Sequence, residues 1–289
     1  ENVYENVYTF AHEPQLWSEY TPVVYRFRME IEGWTACEVE TGLREFETRD
    51  HYFYINGNRT MLRGKHDALL FPIEGAVPAS VEEWLKVMKI AKEYGVNHYR
   101  FHTCCPPDAA FEAADLLGIY MEPELPFWGT VPEESGEDKQ EGSQWEYLLL
   151  EGLRMLETFG NHPSFCMMSM GNELWGSKKR IGKAIQIFRK ADNRHLYTQG
   201  SNNFQFVPEI LPEEDFYVGV RLAAADMDGK NDRLIRGSYA CCDAPMGHVQ
   251  TRKPSTTVNY DSAIMPQDGR WKPQIPVVLH EIGQYEMYP

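Results

Sequence analysis

The stretch "SVEEWLKVMKIAKEYGVNHYRFH", Ser80 to His102, reads as a helix followed at once by a strand. Ser80 is a good N-cap with Glu83 three residues on, and Gly95 closes the helix. The same alternation continues on both sides. "TMLRG" leads into this helix, and "VNHYRFH" leads to "PDAAFEAADLLG". "IYMEPELP" leads to "WEYLLLEGLRMLETFG", and "SFCMMSMGNE" to "KRIGKAIQIFRKAD". "HLYTQGS", "DFYVGVRL" and "QIPVVLHEIG" supply three further strands. Short apolar strands alternating with amphipathic helices imply a parallel sheet with helices outside it.

Spacing selects the architecture. With Gly64 and Glu281 taken as the ends of the first and seventh strands, 217 residues cover six units. That is about 36 per unit, close to what the eight units of an ordinary (β/α)8 TIM barrel require. A doubly wound sheet would carry a glycine-rich GxGxxG turn after a strand, and the sequence has none. Only the eight residues Ile282 to Pro289 follow Glu281, whereas an eighth strand with its helix needs roughly thirty. The expected fold class is therefore α/β, a barrel over residues 57–289 that is truncated before its eighth strand. Residues 1–56 have a different texture. "VVYRFRMEIEG" and "LREFETRDHYFYING" alternate apolar and polar positions, and "INGN" supplies a hairpin turn, as at the end of a β-sandwich.

Composition removes several function classes. Of 289 residues 43% are hydrophobic, enough for a sizeable core, and the formal net charge of -15 lacks the basic stripe that phosphate backbones demand. No apolar run approaches the roughly 20 residues of a membrane span. "ENVYENVYTF" at the start has neither the basic end nor the apolar centre of a signal peptide. The expected partners thus include neither nucleic acid nor membrane. Six cysteines, with Cys104 beside Cys105 and Cys241 beside Cys242, do not form a disulfide framework and read mostly as thiols. "HYRFHTCC" lacks the paired CxxC or HxxxH spacing of a zinc site, so no metal and no cofactor are expected.

Catalytic groups of such barrels sit at the C-terminal ends of strands. Glu173 follows "FCMMSM" and Glu281 follows "IPVVLH", 108 residues or three units apart, so both carboxylates would face the mouth. Glycoside hydrolysis with retention needs such a pair about 5 to 5.5 Å apart, one as acid and one as nucleophile. Either glutamate alone is equally read as a helix N-terminal partner or a solvated loop residue.

These residues also carry a resemblance. "NHPSFCMMSMGNE" (Asn161 to Glu173) resembles the His-Pro-Ser, apolar strand, Gly-Asn-Glu signature of glycoside hydrolase family 2, the β-galactosidase and β-glucuronidase group of retaining clan-A enzymes. "PVVLHEIGQY" (Pro276 to Tyr285) is similar to the segment that carries that family's nucleophile. "YFYINGNRTMLRG" (Tyr52 to Gly64) resembles the join between its Ig-like sandwich and first barrel strand, which makes residues 1–56 the C-terminal part of an Ig-like domain. The resemblance implies Glu173 as acid/base, Glu281 as nucleophile and Asn172 as donor to the sugar 2-hydroxyl. It also implies a bacterial enzyme, of periplasm or cytoplasm.

Around that pair, positions 98, 100 and 102 share one face of the second strand. Arg100 can donate to an ionised Glu281 or form a structural ion pair. Where the family's pattern is Arg, two residues, then His-Tyr-Pro, this chain has "RFHTCCPP", with His102 two after the arginine. "RGKHDALLFP" replaces the more usual Asn before the His and acid. Trp128 and Trp175 can be platforms for sugar faces or core. His66, Asp67 and Glu124 can bind hydroxyls or serve as barrel-mouth hydrogen-bond partners, and "EESGEDKQEG" reads as a solvated rim. The expected function is a retaining exo-β-glycosidase, β-galactosidase-like, acting on terminal β-linked sugars of an oligosaccharide or glycoside. The alternatives are β-glucuronidase or other β-glycosidase specificity, or an inactive carbohydrate-binding barrel. A metal-dependent barrel hydrolase is disfavoured because no HxH pair ends the first strand. Whether the chain forms a homo-oligomer is left open.

Overall fold

A computed structural model describes residues 5–30, 33, 36–133, 143–201, 210–218 and 274–278. Glu281, Cys241 with Cys242, and residues 134–142 of the acidic rim lie outside the described residues.

Strands β1 (Tyr25–Met29) and β2 (Cys37–Thr41) pair antiparallel, as do β3 (Phe46–Arg49), β4 (Tyr52–Ile55) and β5 (Asn58–Thr60) in a three-stranded sheet. Asn56 and Gly57, at φ 51° and 75°, form the β4–β5 turn with both residues left-handed, the geometry that suits a two-residue hairpin. Next come β6 (Gly64–Asp67), α1 (Val81–Glu93), β7 (His98–Phe101), α2 (Asp108–Leu117), β8 (Tyr120–Pro123) and β9 (Thr130–Val131). They are followed by α3 (Gln144–Phe159), β10 (Met167–Ser169), β11 (Trp175–Gly176), α4 (Lys178–Ala191), β12 (Leu196–Thr198), β13 (Tyr217–Val218) and β14 (Val277–Val278). The four helices fall where the sequence pattern placed them, and α1 starts on Ser80, whose side chain accepts from the Glu83 amide.

Seven of these strands lie side by side, parallel and in chain order. β6, β7 and β8 pair directly, as do β10 with β12 and β13 with β14. Single parallel bridges, Met121 to Phe165, Glu124 to Ser169 and Ser201 to Val218, join the three groups. Among the described residues no pairing closes β14 back onto β6.

The first barrel strand is displaced from the expected one. "TMLRG" ends at Gly64, but Thr60 completes the antiparallel hairpin and the parallel strand begins at Gly64. Gly64 pairs with His98, and a Cβ there would lie 2.7 Å from the His98 Nδ1, so the absence of a side chain lets the two strands start together. The units are also uneven. Strand ends at Asp67, Phe101, Pro123, Ser169 and Thr198 are 34, 22, 46 and 29 residues apart, because α2 is short and the loop carrying β9 is long.

Two apolar layers hold the wall. Outward residues Tyr99, Phe101, Met121, Met168 and Tyr197 pack under the helices with Trp84, Phe111 and Phe188. The floor is filled by Tyr120, Met167, Leu196, Phe216 and Val218 together with Trp17, Phe46 and Phe53 from the N-terminal region. Trp17 is pinned further by its indole N–H, which donates to the Asp115 carbonyl at 2.8 Å. His162, of the His-Pro-Ser motif, has Nδ1 2.6 Å from Asp115 Oδ2 and Nε2 3.1 Å from Asp108 Oδ1. Burial alone would lower its pKa, but the two carboxylates outweigh burial and raise it. No helix of the described residues is long and apolar enough to cross a membrane.

Candidate functional site

Alternation along β7 sends Tyr99 and Phe101 to the helices and leaves His98 and Arg100 facing the barrel interior. Arg100 is 3% exposed. A guanidinium so placed is tolerable only with partners, and it has several. Nε donates to Glu124 Oε1 at 2.7 Å and Nη2 to Asn172 Oδ1 at 2.7 Å, while Nη1 lies 3.0 Å from His66 Nδ1. Arginine can only donate, so His66 Nδ1 is the acceptor in that contact. With its Oδ1 taken by Arg100, Asn172 keeps its NH2 group as the donor available to a ligand.

Glu124, fully buried, follows directly on the end of β8. Its Oε1 accepts from Arg100 and from the Ser201 hydroxyl, and its Oε2 accepts from the Thr103 amide at 2.8 Å. Asp67 is engaged in a similar way. Oδ1 accepts from the Leu69 amide at 2.8 Å, Oδ2 pairs with Lys65 at 2.5 Å, and its carbonyl takes the His102 amide at 2.8 Å. A ring cluster lies beside them: His66 and His102 are 4.9 Å apart between centroids, and Trp128, 61% exposed, meets His102 edge-on at 5.5 Å.

Glu173 is half-buried and sits at φ 47°, a left-handed conformation that a non-glycine residue rarely adopts. Main-chain bonds hold it there. Its amide donates to the Ser201 carbonyl at 2.7 Å, the Asn172 amide to Phe127 O at 3.0 Å, and the Trp175 amide to Gly129 O at 2.9 Å. β11 then pairs with β9, which places the exposed Trp175 opposite Thr130. Two glycines permit this close approach. Gly171 (φ 132°) and Gly176 (φ 94°) would each put a Cβ within 2.4 Å of a carbonyl oxygen of the neighbouring loop.

The structure thus joins Arg100, His66, Glu124 and Asn172 through side chains, and Glu173 through its backbone; His102 and Trp128 lie alongside. Sequence reading missed Ser201, Thr103 and the β9–β11 pair. Gly129, Gly171 and Gly176 were the available signal for the last of these, since glycines that flank a short run mark close backbone approach. Cys37, Cys104, Cys105 and Cys166 are free thiols, with Cys104 pushed up to about 12 by burial and by the charges of Glu124 and Asp67. Among the described residues no group of three or more His, Cys, Asp or Glu side chains could hold a metal ion.

Below Ser201, the buried Glu214 ties the end of β12 to the following loop. It accepts from the amides of Gln199 (3.0 Å) and Leu211 (2.9 Å), from Gln199 Nε2 (2.8 Å) and from Thr198 Oγ1 (3.2 Å). Burial pushes its pKa up to about 7 from an ordinary 4.5, against the pull of those donors. Between those two pH values the folded chain holds a proton that the unfolded chain has released. The associated stability is whole below 4.5 and is lost as pH rises through 7, on the order of 3 kcal/mol. Urea unfolding from pH 4.5 to 8 should therefore show a steeper loss of stability in the native sequence than in Glu214→Gln. Parallel curves would contradict this.

Comparison with known proteins identifies the family of the fold. The model of "Glycosyl hydrolases family 2, TIM barrel domain" matches residues 46–277. A β-galactosidase of Priestia megaterium is 28% identical over 200 residues, 65% of this chain and 19% of that protein. A β-glucuronidase of Formosa agariphila is 28% identical over 248 residues, 82% and 24% of the two chains. The structure of Bacteroides uniformis β-glucuronidase 3 superposes with a TM-score of 0.51 at 26% identity, over 64% of this chain and 24% of that one. A β-glycosidase from Bacteroides vulgatus shares the fold at 22% identity, with a TM-score of 0.56 over 70% and 26%. The chain spans about a fifth to a quarter of the length of these relatives. Matched over most of its length, it belongs to glycosyl hydrolases family 2 and contributes the TIM barrel domain of that family.

Proposed function

We propose that this barrel is the catalytic domain of a retaining exo-β-glycosidase, with Glu173 as acid/base and Glu281 as nucleophile. The observation that carries the reading is the Gly171-Asn172-Glu173 corner. There a carboxylate is held in a left-handed backbone conformation at a strand end, beside an asparagine whose oxygen is fixed by a buried arginine. Strain of about 1–3 kcal/mol persists only where surrounding bonds over-determine it, and such positions cluster at functional sites.

In the first step Glu173 gives its proton to the glycosidic oxygen as Glu281 attacks the anomeric carbon. The aglycone leaves as an alcohol and the sugar is esterified to Glu281 with inverted configuration. In the second, the Glu173 carboxylate takes a proton from water, whose oxygen displaces Glu281 and restores the β configuration. Asn172 donates to the 2-hydroxyl. Trp128 and His102 offer an aromatic wall beside the mouth, and Trp175 a further exposed ring. Relatives named β-galactosidase and β-glucuronidase support β-linked hexose or hexuronic acid as substrate, with galactose as our first choice.

A panel of 4-nitrophenyl β-glycosides tests the reading. Hydrolysis of a β-galactoside or β-glucuronide is expected, and proton NMR should find the β-anomer of the free sugar first. Release of the α-anomer first, or cleavage of no β-glycoside, would overturn it.

A further inference from the structure

We propose that Ser201 and Glu124, both fully buried, are positioning residues that set the orientation of the Glu173 carboxyl. The proposal rests on the reading of Glu173 as acid/base. Ser201 is fully buried at the end of β12 and is bonded through all three of its polar groups. Its amide donates to the Gly171 carbonyl at 2.8 Å, and its own carbonyl accepts the Glu173 amide at 2.7 Å. Its hydroxyl donates to Glu124 Oε1. The two main-chain bonds bracket the Gly171-Asn172-Glu173 corner, so the position of Ser201 fixes where that corner can stand. The side-chain bond fixes Ser201 itself.

Glu124 is a firm anchor for it. One of its oxygens is shared between Ser201 and Arg100, the other is capped by the Thr103 amide, and its own amide is bonded to the Cys104 carbonyl at 3.1 Å. Arg100 continues to Asn172 Oδ1. A single buried carboxylate therefore braces both members of the Asn172-Glu173 pair, the asparagine through Arg100 and the glutamate through Ser201. A residue held at φ 47° relaxes when a brace is removed. A displaced acid then fails in the step in which a proton must reach the leaving oxygen, because proton transfer requires hydrogen-bonding reach.

This failure has a signature that general loosening lacks. An aryl glycoside with a poor leaving group needs the proton, whereas a 2,4-dinitrophenyl glycoside leaves without it. In the intact protein, Ser201→Ala should lower kcat/KM for the phenyl β-glycoside by about tenfold or more and for the 2,4-dinitrophenyl β-glycoside by less than about threefold. Glu124→Gln, which also loosens Asn172 through Arg100, should lower both substrates and still cost the phenyl glycoside about tenfold more than the 2,4-dinitrophenyl one, so the outcome does not hang on one variant folding. Equal losses on both substrates in these variants, with Glu173→Ala down about 100-fold or more on the phenyl glycoside, would overturn the positioning role alone. A loss of less than about tenfold on the phenyl glycoside in Glu173→Ala would overturn the acid/base assignment, and this proposal with it.

Discussion

Glu173→Ala should lose about 10²- to 10⁴-fold in turnover of a phenyl β-glycoside, the range that a positioned general acid contributes. Azide should restore turnover of a 2,4-dinitrophenyl glycoside. That leaving group departs unprotonated, the sugar accumulates on Glu281, and an anionic nucleophile then needs no base. Because two displacements restore the starting configuration, the product should be the β-glycosyl azide. Glu173→Gln should behave alike in the first step. Formation of the α-azide would mean that azide had replaced the nucleophile, and the two glutamates would exchange roles. The prediction draws on the surroundings as well as on the motif. Glu173 is half-buried at a strand end, with its amide fixed on Ser201 and its neighbour Asn172 on Phe127 and Arg100.

Arg100→Leu is the substitution expected to cost most in stability. It leaves Glu124, which is fully buried, with a charge and no cation beside it. Removing one partner of a buried ion pair typically costs about 3–5 kcal/mol. It also frees Asn172 Oδ1 and His66 Nδ1, so activity should fall in whatever fraction remains folded. Urea unfolding near pH 7 measures the first effect. Arg26→Leu is the control, since Arg26 and Glu40 pair at 2.5 Å but both are exposed and screened by water. A similar stability for the two variants would show that the Arg100 pair is not the brace described here.

How far the sequence revealed this arrangement depended on the kind of signal. Ser80 and Gly95 marked the ends of α1 legibly because capping is local chemistry, and α1 starts one residue after Ser80 and ends two residues before Gly95. Strands β7, β8 and β10 were legible because both of their faces are buried, which leaves a nearly continuous apolar or aromatic run. β6 is the opposite case. Gly64 and His66 face the interior beside His98 and Arg100, and Lys65 and Asp67 pair with each other on the other face beside Tyr99 and Phe101, so no apolar run marks this strand; the run upstream was the more attractive one and the wrong one.

The site divides along the same line. Glu173, Asn172 and Arg100 could be named from motif and face, since 98, 100 and 102 must point one way. The contact of Arg100 with Glu124 could not, because Glu124 lies 24 residues on and comes within reach only where β8 runs beside β7; the expected contact of Arg100 with Glu281 falls outside the described residues. Ser201 gave no signal, as a serine after a strand is common and its role comes from contacts 77 residues back, at Glu124, and at Gly171 and Glu173. The β9–β11 pair is two residues long, below what periodicity can register.

The central claim is that Glu173 works opposite a nucleophile at Glu281, and covalent trapping tests it most directly. A 2,4-dinitrophenyl 2-deoxy-2-fluoro β-glycoside of the sugar identified by the panel should inactivate the protein with release of one aryl group per site. Peptide mass spectrometry should then place the fluorosugar on Glu281 within "PVVLHEIGQY". A label on Glu173, or on any residue other than Glu281, would contradict the account.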